Sequence, residues 1–158
     1  MKRILFVCLG NICRSPAAEG ILKQKVLEKG LEANFHIDSA GTYGYHTGEL
    51  PDVRMRRHAS QRGYQLTSLA RRVTYKDFEQ FDVIIGMDDD NIRTLKNIAP
   101  NVESQLKIRR LTDFCRHHGD DCVPDPYYGG AAGFEHVIDL LEDACEGIIQ
   151  RFRDGIDI

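Results

Sequence analysis

The amino terminus of the chain combines a short apolar run with a turn that leads directly into a helix signal. Residues 3–8 (RILFVC) are almost continuously apolar, which is typical of a strand buried on both faces of a parallel sheet. After a Gly-Asn turn, Ser15 offers a helix N-cap, Pro16 suits the first helical position, and Gly30 suits a helix end. The chain is therefore predicted to open with a strand, a loop and a helix.

The same alternation of strand and helix signals continues to the end of the chain. Further strands are predicted at residues 35–41, 81–87 and 105–111. Helices are predicted to begin at Pro51-Asp52, at Thr74 with Asp77 in a capping arrangement, and at Asp88 or Asp89. An apolar stripe from Phe134 to Phe152 predicts one more helix near the end of the sequence. This order predicts an α/β fold, a doubly wound four-stranded parallel sheet flanked by helices, as one domain over residues 1–158. In such sheets ligands bind beyond the carboxyl ends of strands, where Cys8 falls.

Composition narrows the class of protein. The net charge of −3, with Lys and Arg scattered along the chain, gives no electrostatic case for binding nucleic acid. The first apolar run is far shorter than the ~20 residues that span a bilayer, so no membrane segment is expected. Five cysteines are an odd number without the density of a disulfide scaffold, which suits a reducing compartment. We expect a soluble, cytoplasmic protein that is a monomer or associates only weakly with itself.

The first loop has the residues of an anion-binding nucleophilic site. A loop between a strand and a helix directs backbone N–H groups to one point, and Gly10 allows the tight bend. The helix N-terminus and Arg14 would stabilise a thiolate at Cys8, which is a nucleophile, and the guanidinium can hold two oxygens of a tetrahedral anion. Ser15 can cap the helix, donate to the thiolate, or do both in turn.

The alternative for this loop is ordinary packing. A cysteine that ends a buried strand is often only a small apolar residue, and a C-x5-R spacing arises by chance. The strand before it, the Gly-Asn turn and the Ser-Pro pair together favour a loop that attacks phosphorus. A loop that binds ATP would need Gly-Lys-Ser/Thr and has no use for a cysteine.

The segment VCLGNICRSP resembles the active-site signature of the low-molecular-weight protein tyrosine phosphatases. DSAGT (38–42), FDVIIGMDDDN (81–91) and VPDPYYGG (123–130) stand where that family has comparable segments, so the resemblance covers nearly the whole chain. It implies a cysteinyl-phosphate mechanism on phosphotyrosine-containing protein substrates, with no metal and no cofactor. The phosphate-binding residues that it implies are Leu9, Gly10, Asn11, Ile12, Cys13, Arg14 and Ser15.

The resemblance also assigns a second part of the site. It makes Asp125, held between two prolines, the general acid that protonates the leaving phenolate and then the base that activates water. It makes Tyr45, Tyr127 and Tyr128, with Leu9, the walls of a substrate pocket for a phenyl phosphate. The alternatives are that Asp125 only forms a local turn and that the tyrosines are ordinary surface aromatics.

Three further roles come from the resemblance alone. Asn11 and Ser39 would support the loop by side-chain hydrogen bonds, although Ser39 is nearly as well explained as an ordinary hydroxyl at a strand end. Cys13 would be the redox partner of Cys8 in a protective disulfide, with simple packing under the loop as the alternative. Better-studied members carry supporting histidines where this chain has about Arg62 and Ser68, so its support there is left open.

Other motifs and functions fit less well. Cys115, His117, His118 and Cys122 match no usual zinc spacing, and His36, His46, His58 and His136 have no partner identifiable from sequence. An arsenate reductase would need a further cysteine near the third strand, and residues 81–95 contain none. A protein-arginine phosphatase carries Thr where this loop has Ile12 and lacks the paired tyrosines. A phosphotyrosine-binding module without activity would be expected to lose Cys8, Arg14 or Asp125.

Overall fold

A computed structural model describes residues 1–158 and contains four parallel strands with helices on both faces of the sheet. The strands are β1 (Lys2–Cys8), β2 (Phe35–Gly41), β3 (Val83–Gly86) and β4 (Ile108–Arg110). The helices are α1 (Arg14–Glu28), α2 (Val53–Gln61), α3 (Tyr75–Gln80), α4 (Asp89–Ile98), α5 (Val102–Gln105) and α6 (Ala131–Arg153). The strand order is β2-β1-β3-β4, which confirms the predicted doubly wound α/β fold.

Strand β1 is central because both of its faces are covered. Ile4 and Phe6 are fully buried against the larger core, to which α1, α2 and α6 contribute. Leu5 and Val7 point the other way into a smaller core with residues of α3 and α4. Burial on both faces explains why this strand appears in the sequence as a continuous apolar run and not as an alternating one.

Several predicted helix ends are confirmed by their capping contacts. Asp52 caps α2 by accepting the N–H groups of Arg54 and Met55, a contact typically worth about 1 kcal/mol. Thr74 and Asp77 form the predicted capping box at α3. Of the two candidates for α4, Asp88 is the cap, since its carboxylate accepts the N–H of Asn91 at 2.8 Å.

The end of α1 also agrees with its prediction. Gly30 has a φ of +68°, in the left-handed region, and its N–H donates to the carbonyl of Leu27. The N–H of Leu31 donates to the carbonyl of Val26, which completes a Schellman motif.

Three predicted boundaries were wrong. Ser15 is not an N-cap, because α1 already begins at Arg14, with Cys13 at the cap position. The strand predicted at 105–111 is only Ile108–Arg110, because Gln105 ends α5, residues 106–107 form a turn and Leu111 begins a 3₁₀ helix. The strand predicted at 81–87 is limited to Val83–Gly86. None of the helices has both the length and the apolar character needed to cross a bilayer.

Candidate active site

The candidate site lies at the carboxyl edge of the sheet, where the strand order reverses. From β1 the chain moves outward to β2 on one side and later returns to β3 on the other, which leaves a crevice beside the end of β1. Cys8 is the last residue of β1, and residues 9–13, here named the β1–α1 loop, lead into α1 at Arg14. No side chain caps the start of α1, so its first N–H groups have no side-chain acceptor and leave partial positive charge at this end of the helix.

Cys8 is paired with Ser15 at the base of this crevice. The Cys8 Sγ and Ser15 Oγ atoms are 3.0 Å apart, and both side chains are buried. The side-chain N–H of Asn11 donates to Ser15 Oγ at 2.8 Å, and the Ser15 hydroxyl has two acceptors within reach, the sulfur and, at 3.4 Å, the carbonyl of Ala40. Of the two roles predicted for Ser15, the contact with Cys8 is observed and the helix cap is not.

Asn11 is held in an unusual conformation by three hydrogen bonds. Its φ of 57° makes it the sole non-glycine residue with positive φ, which costs backbone strain. Besides Ser15, its amide donates to Ser39 Oγ at 3.0 Å, and its Oδ1 accepts the backbone N–H of Arg71 at 3.0 Å. The predicted pair of Asn11 and Ser39 is therefore in contact.

The network continues to a residue that the sequence analysis missed. Ser39 donates its hydroxyl to the buried Glu19 carboxylate at 2.6 Å, and Lys23 pairs with the other oxygen of Glu19 at 2.6 Å. Both residues lie on α1, four positions apart, so a charged pair at helical spacing was visible in the sequence. The burial of the Glu19 carboxylate was not.

Arg62 and Ser68 stand at about the positions where the family carries supporting histidines, and neither supports the β1–α1 loop. Arg62 directly follows α2, and its guanidinium pairs with three carboxylates of α6 (Glu135, Asp139 and Glu142). Ser68 makes no side-chain hydrogen bond, and the acceptor oxygen of Asn11 is occupied by the backbone of Arg71.

Arg14 is buried, and hydrogen bonds to other residues hold its guanidinium in place. Its Nη1 donates to Asp88 Oδ2 at 2.6 Å and to the carbonyl of Val123 at 3.0 Å, and its Nη2 is 3.7 Å from Asp125 Oδ2. Burial opposes the guanidinium charge. The charge of Cys8 and the two carboxylates outweigh that effect and raise the pKa of Arg14. Asp88 was predicted only as a helix cap, although it follows β3 at the same edge of the sheet as Cys8.

Asp125 makes the local turn that was its alternative interpretation and also faces the crevice. Its Oδ1 accepts the N–H of Tyr127 at 3.0 Å, whereas Oδ2 is directed towards Arg14. The side chain is 40% exposed, so that carboxylate can reach a bound ligand. The two interpretations of Asp125 are therefore compatible.

A cavity of about 430 Å³ collects the predicted site residues. Tyr127 and Tyr128 meet edge to face at 5.0 Å, and Tyr45 meets His46 in the same way at 5.1 Å. The residues that line the cavity are Cys8, Leu9, Gly10, Ile12, Cys13, Arg14, Tyr43, Tyr45, His46, Asp125, Tyr127 and Tyr128. Tyr43 and His46 were missed, although both belong to the Gly-rich loop that contains Tyr45.

Cys13 borders the cavity as a buried thiol. Burial raises the pKa of this thiol, and the nearby Asp52 carboxylate raises it further. The backbone N–H of Asp52 donates to the carbonyl of Ile12 at 2.7 Å, which ties the β1–α1 loop to the start of α2. Cys8 and Cys13 are both free thiols in this structure.

The segment at 115–122 is organised by a carboxylate of α6. Asp143 accepts the backbone N–H groups of Arg116, His117 and His118, and it also contacts the His118 ring at 2.7 Å. These bonds lower the pKa of Asp143 despite its partial burial. Three of the histidines without an identifiable partner in the sequence contact a carboxylate here: His46 with Glu49, His58 with Glu135 and His136 with Asp120. His36 instead stacks on Phe81.

A thiol directed into a cradle for oxyanions has a narrow chemical use. Sulfur in such a place can attack phosphorus while the surrounding N–H groups and a guanidinium hold the phosphate oxygens. Fold and site together suit a cysteine-dependent phosphatase.

Comparison with known proteins gives the family. Residues 3–155 match the family described as low molecular weight phosphotyrosine protein phosphatase, and the chain belongs to that family. It is therefore a hydrolase whose substrates are phosphoproteins. A Synechocystis sp. protein provisionally named as a low molecular weight protein-tyrosine-phosphatase is 50% identical over 147 residues, covering 93% of this chain and 94% of its own.

Solved structures agree with this assignment. The protein tyrosine phosphatase of Entamoeba histolytica is 47% identical, with a TM-score of 0.95 over 98% of this chain and 99% of its own. A Drosophila arginine phosphatase is 33% identical, with a TM-score of 0.89 over 97% of this chain and 98% of its own. Because the fold is common to both of these structures, the choice of substrate residue must come from the pocket.

Proposed function

We propose that residues 1–158 act as one phosphatase domain that hydrolyses phosphotyrosine in proteins through a phosphate ester on Cys8. The observation that carries this proposal is that Cys8, Arg14 and Asp125 line one cavity of about 430 Å³. The uncapped start of α1 and the N–H groups of residues 9–15 supply the cradle for the phosphate oxygens. The mechanism requires neither metal nor cofactor, because the chain's own groups provide nucleophile, charge stabilisation and proton transfer.

In the first step the Cys8 thiolate attacks phosphorus and the bond to the tyrosine oxygen breaks. Asp125 gives its proton to that oxygen, so that a neutral phenol leaves and not a phenolate. Arg14 stabilises the charge on the equatorial oxygens, and its contacts with Asp88 and the Val123 carbonyl hold the guanidinium ready for two parallel hydrogen bonds.

In the second step water attacks the cysteinyl phosphate and the bond between sulfur and phosphorus breaks. The Asp125 carboxylate accepts a proton from that water, and inorganic phosphate is released. The sulfur leaves as a thiolate, to which the hydroxyl of Ser15 can donate from 3.0 Å. The enzyme returns to its starting protonation state after each cycle.

The walls of the pocket favour an aromatic phosphate. Tyr45, Tyr127 and Tyr128 line the cavity with aromatic rings, and Leu9 and Ile12 add apolar surface to its lining. An apolar side chain at Ile12 offers no hydrogen bond to a guanidinium. These features support phosphotyrosine over phosphoarginine, and a short alkyl phosphate would leave the aromatic walls without contact.

A panel of peptides of one sequence, carrying phosphotyrosine, phosphoserine, phosphothreonine or phosphoarginine, tests this assignment. Phosphate release should be fastest from phosphotyrosine, because only that side chain fills the aromatic pocket with its phosphorus at the sulfur. Arsenate with a thiol reductant is included as a fifth substrate. Faster release from phosphoarginine, or turnover of arsenate to arsenite, would contradict the proposal.

We also propose that Cys13 protects Cys8 from irreversible oxidation. Peroxide would convert the Cys8 thiolate to a sulfenic acid, and the Cys13 thiol would then form a disulfide with it and release water. After peroxide and then dithiothreitol, the wild type should recover activity, whereas Cys13→Ser should stay largely inactive. Cys122→Ser is the control, because this half-buried thiol does not line the cavity.

The raised pKa of Cys13 adds a pH dependence to that experiment. The attacking form is the thiolate, so disulfide formation should accelerate as the pH rises above neutrality. Mass spectrometry of the Cys8–Cys13 peptide pair after timed oxidation measures this rate. Equal recovery of wild type and Cys13→Ser would leave Cys13 with a packing role alone.

The partners and location follow the same proposal. Phosphotyrosine proteins are the partners we propose, and neither nucleic acid nor a membrane is among them. Five unpaired cysteines support a reducing, cytoplasmic location for a protein that is a monomer or associates weakly.

A further inference from the structure

Arg71 contacts the candidate active site through its backbone. Its N–H donates to the side-chain oxygen of Asn11 at 3.0 Å, and its carbonyl accepts the N–H of Gly41 at 2.8 Å. The next residue but one, Val73, donates its N–H to the carbonyl of Gly41 at 2.8 Å. Residues 71–73 are thereby aligned along the end of β2, directly beside the β1–α1 loop.

The end of β2 leaves little room for movement. A Cβ atom added at Gly41 would come within 2.8 Å of the Leu9 carbonyl and 3.2 Å of Asn11 Cβ. Any displacement of residues 71–73 that pulls on Gly41 therefore also moves the loop that carries Asn11. The strained φ of Asn11 makes this residue sensitive to such a shift.

The side chain of Arg71 fixes this segment to two other elements. Its guanidinium makes two hydrogen bonds to Asp77 of α3, at 2.9 and 3.1 Å, and two to Asp38 of β2, at 3.0 and 3.2 Å. Asp77 is buried and is itself held by the N–H of Thr74 at 2.7 Å, and Asp38 directly precedes Ser39. Burial opposes the guanidinium charge, but the two carboxylates outweigh it and raise the pKa of Arg71.

We propose that Arg71 is a positioning residue for the phosphate-binding loop: its ion pairs with Asp38 and Asp77 hold the backbone N–H that orients Asn11. Arg71 does not line the cavity and does not touch the reacting atoms. It acts through Asn11, whose amide sets the hydroxyl of Ser15 against the sulfur of Cys8. In this chain the support, which the sequence analysis left open, is a backbone donor fixed by charge.

The inference rests on the proposed role of the β1–α1 loop, and the two can fail separately. Failure of the proposed function would appear as retained turnover in Cys8→Ser. Failure of this inference would appear only in the kinetics of Arg71 variants, with the chemistry of the loop intact.

The test compares Arg71→Met with Arg62→Met. Arg62 also pairs with several carboxylates and joins two elements, but its contacts lie between α2 and α6, away from the cavity. Both variants should lose thermal stability. At a temperature where both remain folded by circular dichroism, kcat should fall about 10- to 100-fold in Arg71→Met, as expected when catalytic groups are misplaced by up to 1 Å. Arg62→Met should retain the wild-type kcat.

Inhibition constants distinguish positioning from general loosening. Vanadate mimics the five-coordinate transition state, whereas phosphate resembles the ground state, so Arg71→Met should weaken vanadate inhibition more than phosphate inhibition. Arg71→Lys should recover part of kcat, because a single ammonium can meet one carboxylate at a time but not both in the same geometry.

Asp38→Asn is the second variant, for the case that Arg71→Met does not fold. It removes one ion pair and leaves Asp77 and its capping box in place, and it should lower kcat and vanadate affinity in the same direction. Wild-type kcat and vanadate inhibition in a folded Arg71→Met or Asp38→Asn protein would overturn the proposal. An equal loss of kcat in Arg62→Met would also overturn it.

Discussion

Cys8→Ser should abolish turnover of phosphotyrosine and aryl phosphates and leave phosphate binding largely intact. A serine hydroxyl is a far weaker nucleophile than a thiolate at neutral pH. The substitution exchanges one atom and keeps the backbone cradle, Arg14 and the Ser15 contact. Binding of the anion should therefore survive the loss of chemistry.

Two measurements on the same protein check this expectation. Steady-state release of p-nitrophenol should fall to background, while calorimetric titration with phosphate should give an affinity within a few fold of wild type. Cys122→Ser, a substitution outside the cavity, should retain activity. Hydrolysis at the wild-type rate by Cys8→Ser would show that another group is the nucleophile.

Asp125→Asn should slow the enzyme by roughly 10²–10⁴-fold, the usual contribution of one general acid–base group. Asparagine can keep the local turn, because its side-chain oxygen can still accept the N–H of Tyr127. The variant therefore removes the transferable proton with little change in the shape of the 123–130 loop. The side chain at position 125 loses its negative charge and stays at its position 3.7 Å from Arg14.

The dependence on the leaving group tests the proton transfer itself. For a series of substituted phenyl phosphates, the loss of kcat in Asp125→Asn should grow as the phenol becomes more basic, since a poor leaving group needs the proton most. Asp121→Asn, an exposed carboxylate nearby that does not line the cavity, should show no such trend. A uniform loss across the series would mean that Asp125 only shapes the loop.

Local signals in the sequence predicted most of the sheet and the helices. The buried run of β1, the capping box at Thr74 and the stop at Gly30 each depend on a few consecutive residues, and each was predicted correctly. The short strand β4 was predicted too long, because an apolar run does not show that a helix ends at Gln105, a turn follows it, and a 3₁₀ helix begins at Leu111.

The parts of the site that escaped prediction depend on distant partners. Ser15 has the right type for a helix cap, but the fold turns it inwards to Cys8 and Asn11. Asp88 caps α4 as predicted, and its second contact, with Arg14, joins residues 74 positions apart. The contact between Arg71 and Asn11 escaped prediction for a similar reason. It is made by the backbone N–H of Arg71, so the type of residue at this position does not indicate it.

The floor and the walls of the cavity are formed by different kinds of structure. Cys8 and Arg14 lie at the junction of the central strand and a buried helix, whereas Tyr45 and Tyr128 are on loops and are 79% and 93% exposed. Substitutions at the walls should therefore change the free energy of unfolding little, whereas substitutions at the floor should lower it. Over evolutionary time such a division lets substrate preference drift while the reaction is inherited unchanged. Swapping the two loops between relatives should transfer preference between phosphorylated residues.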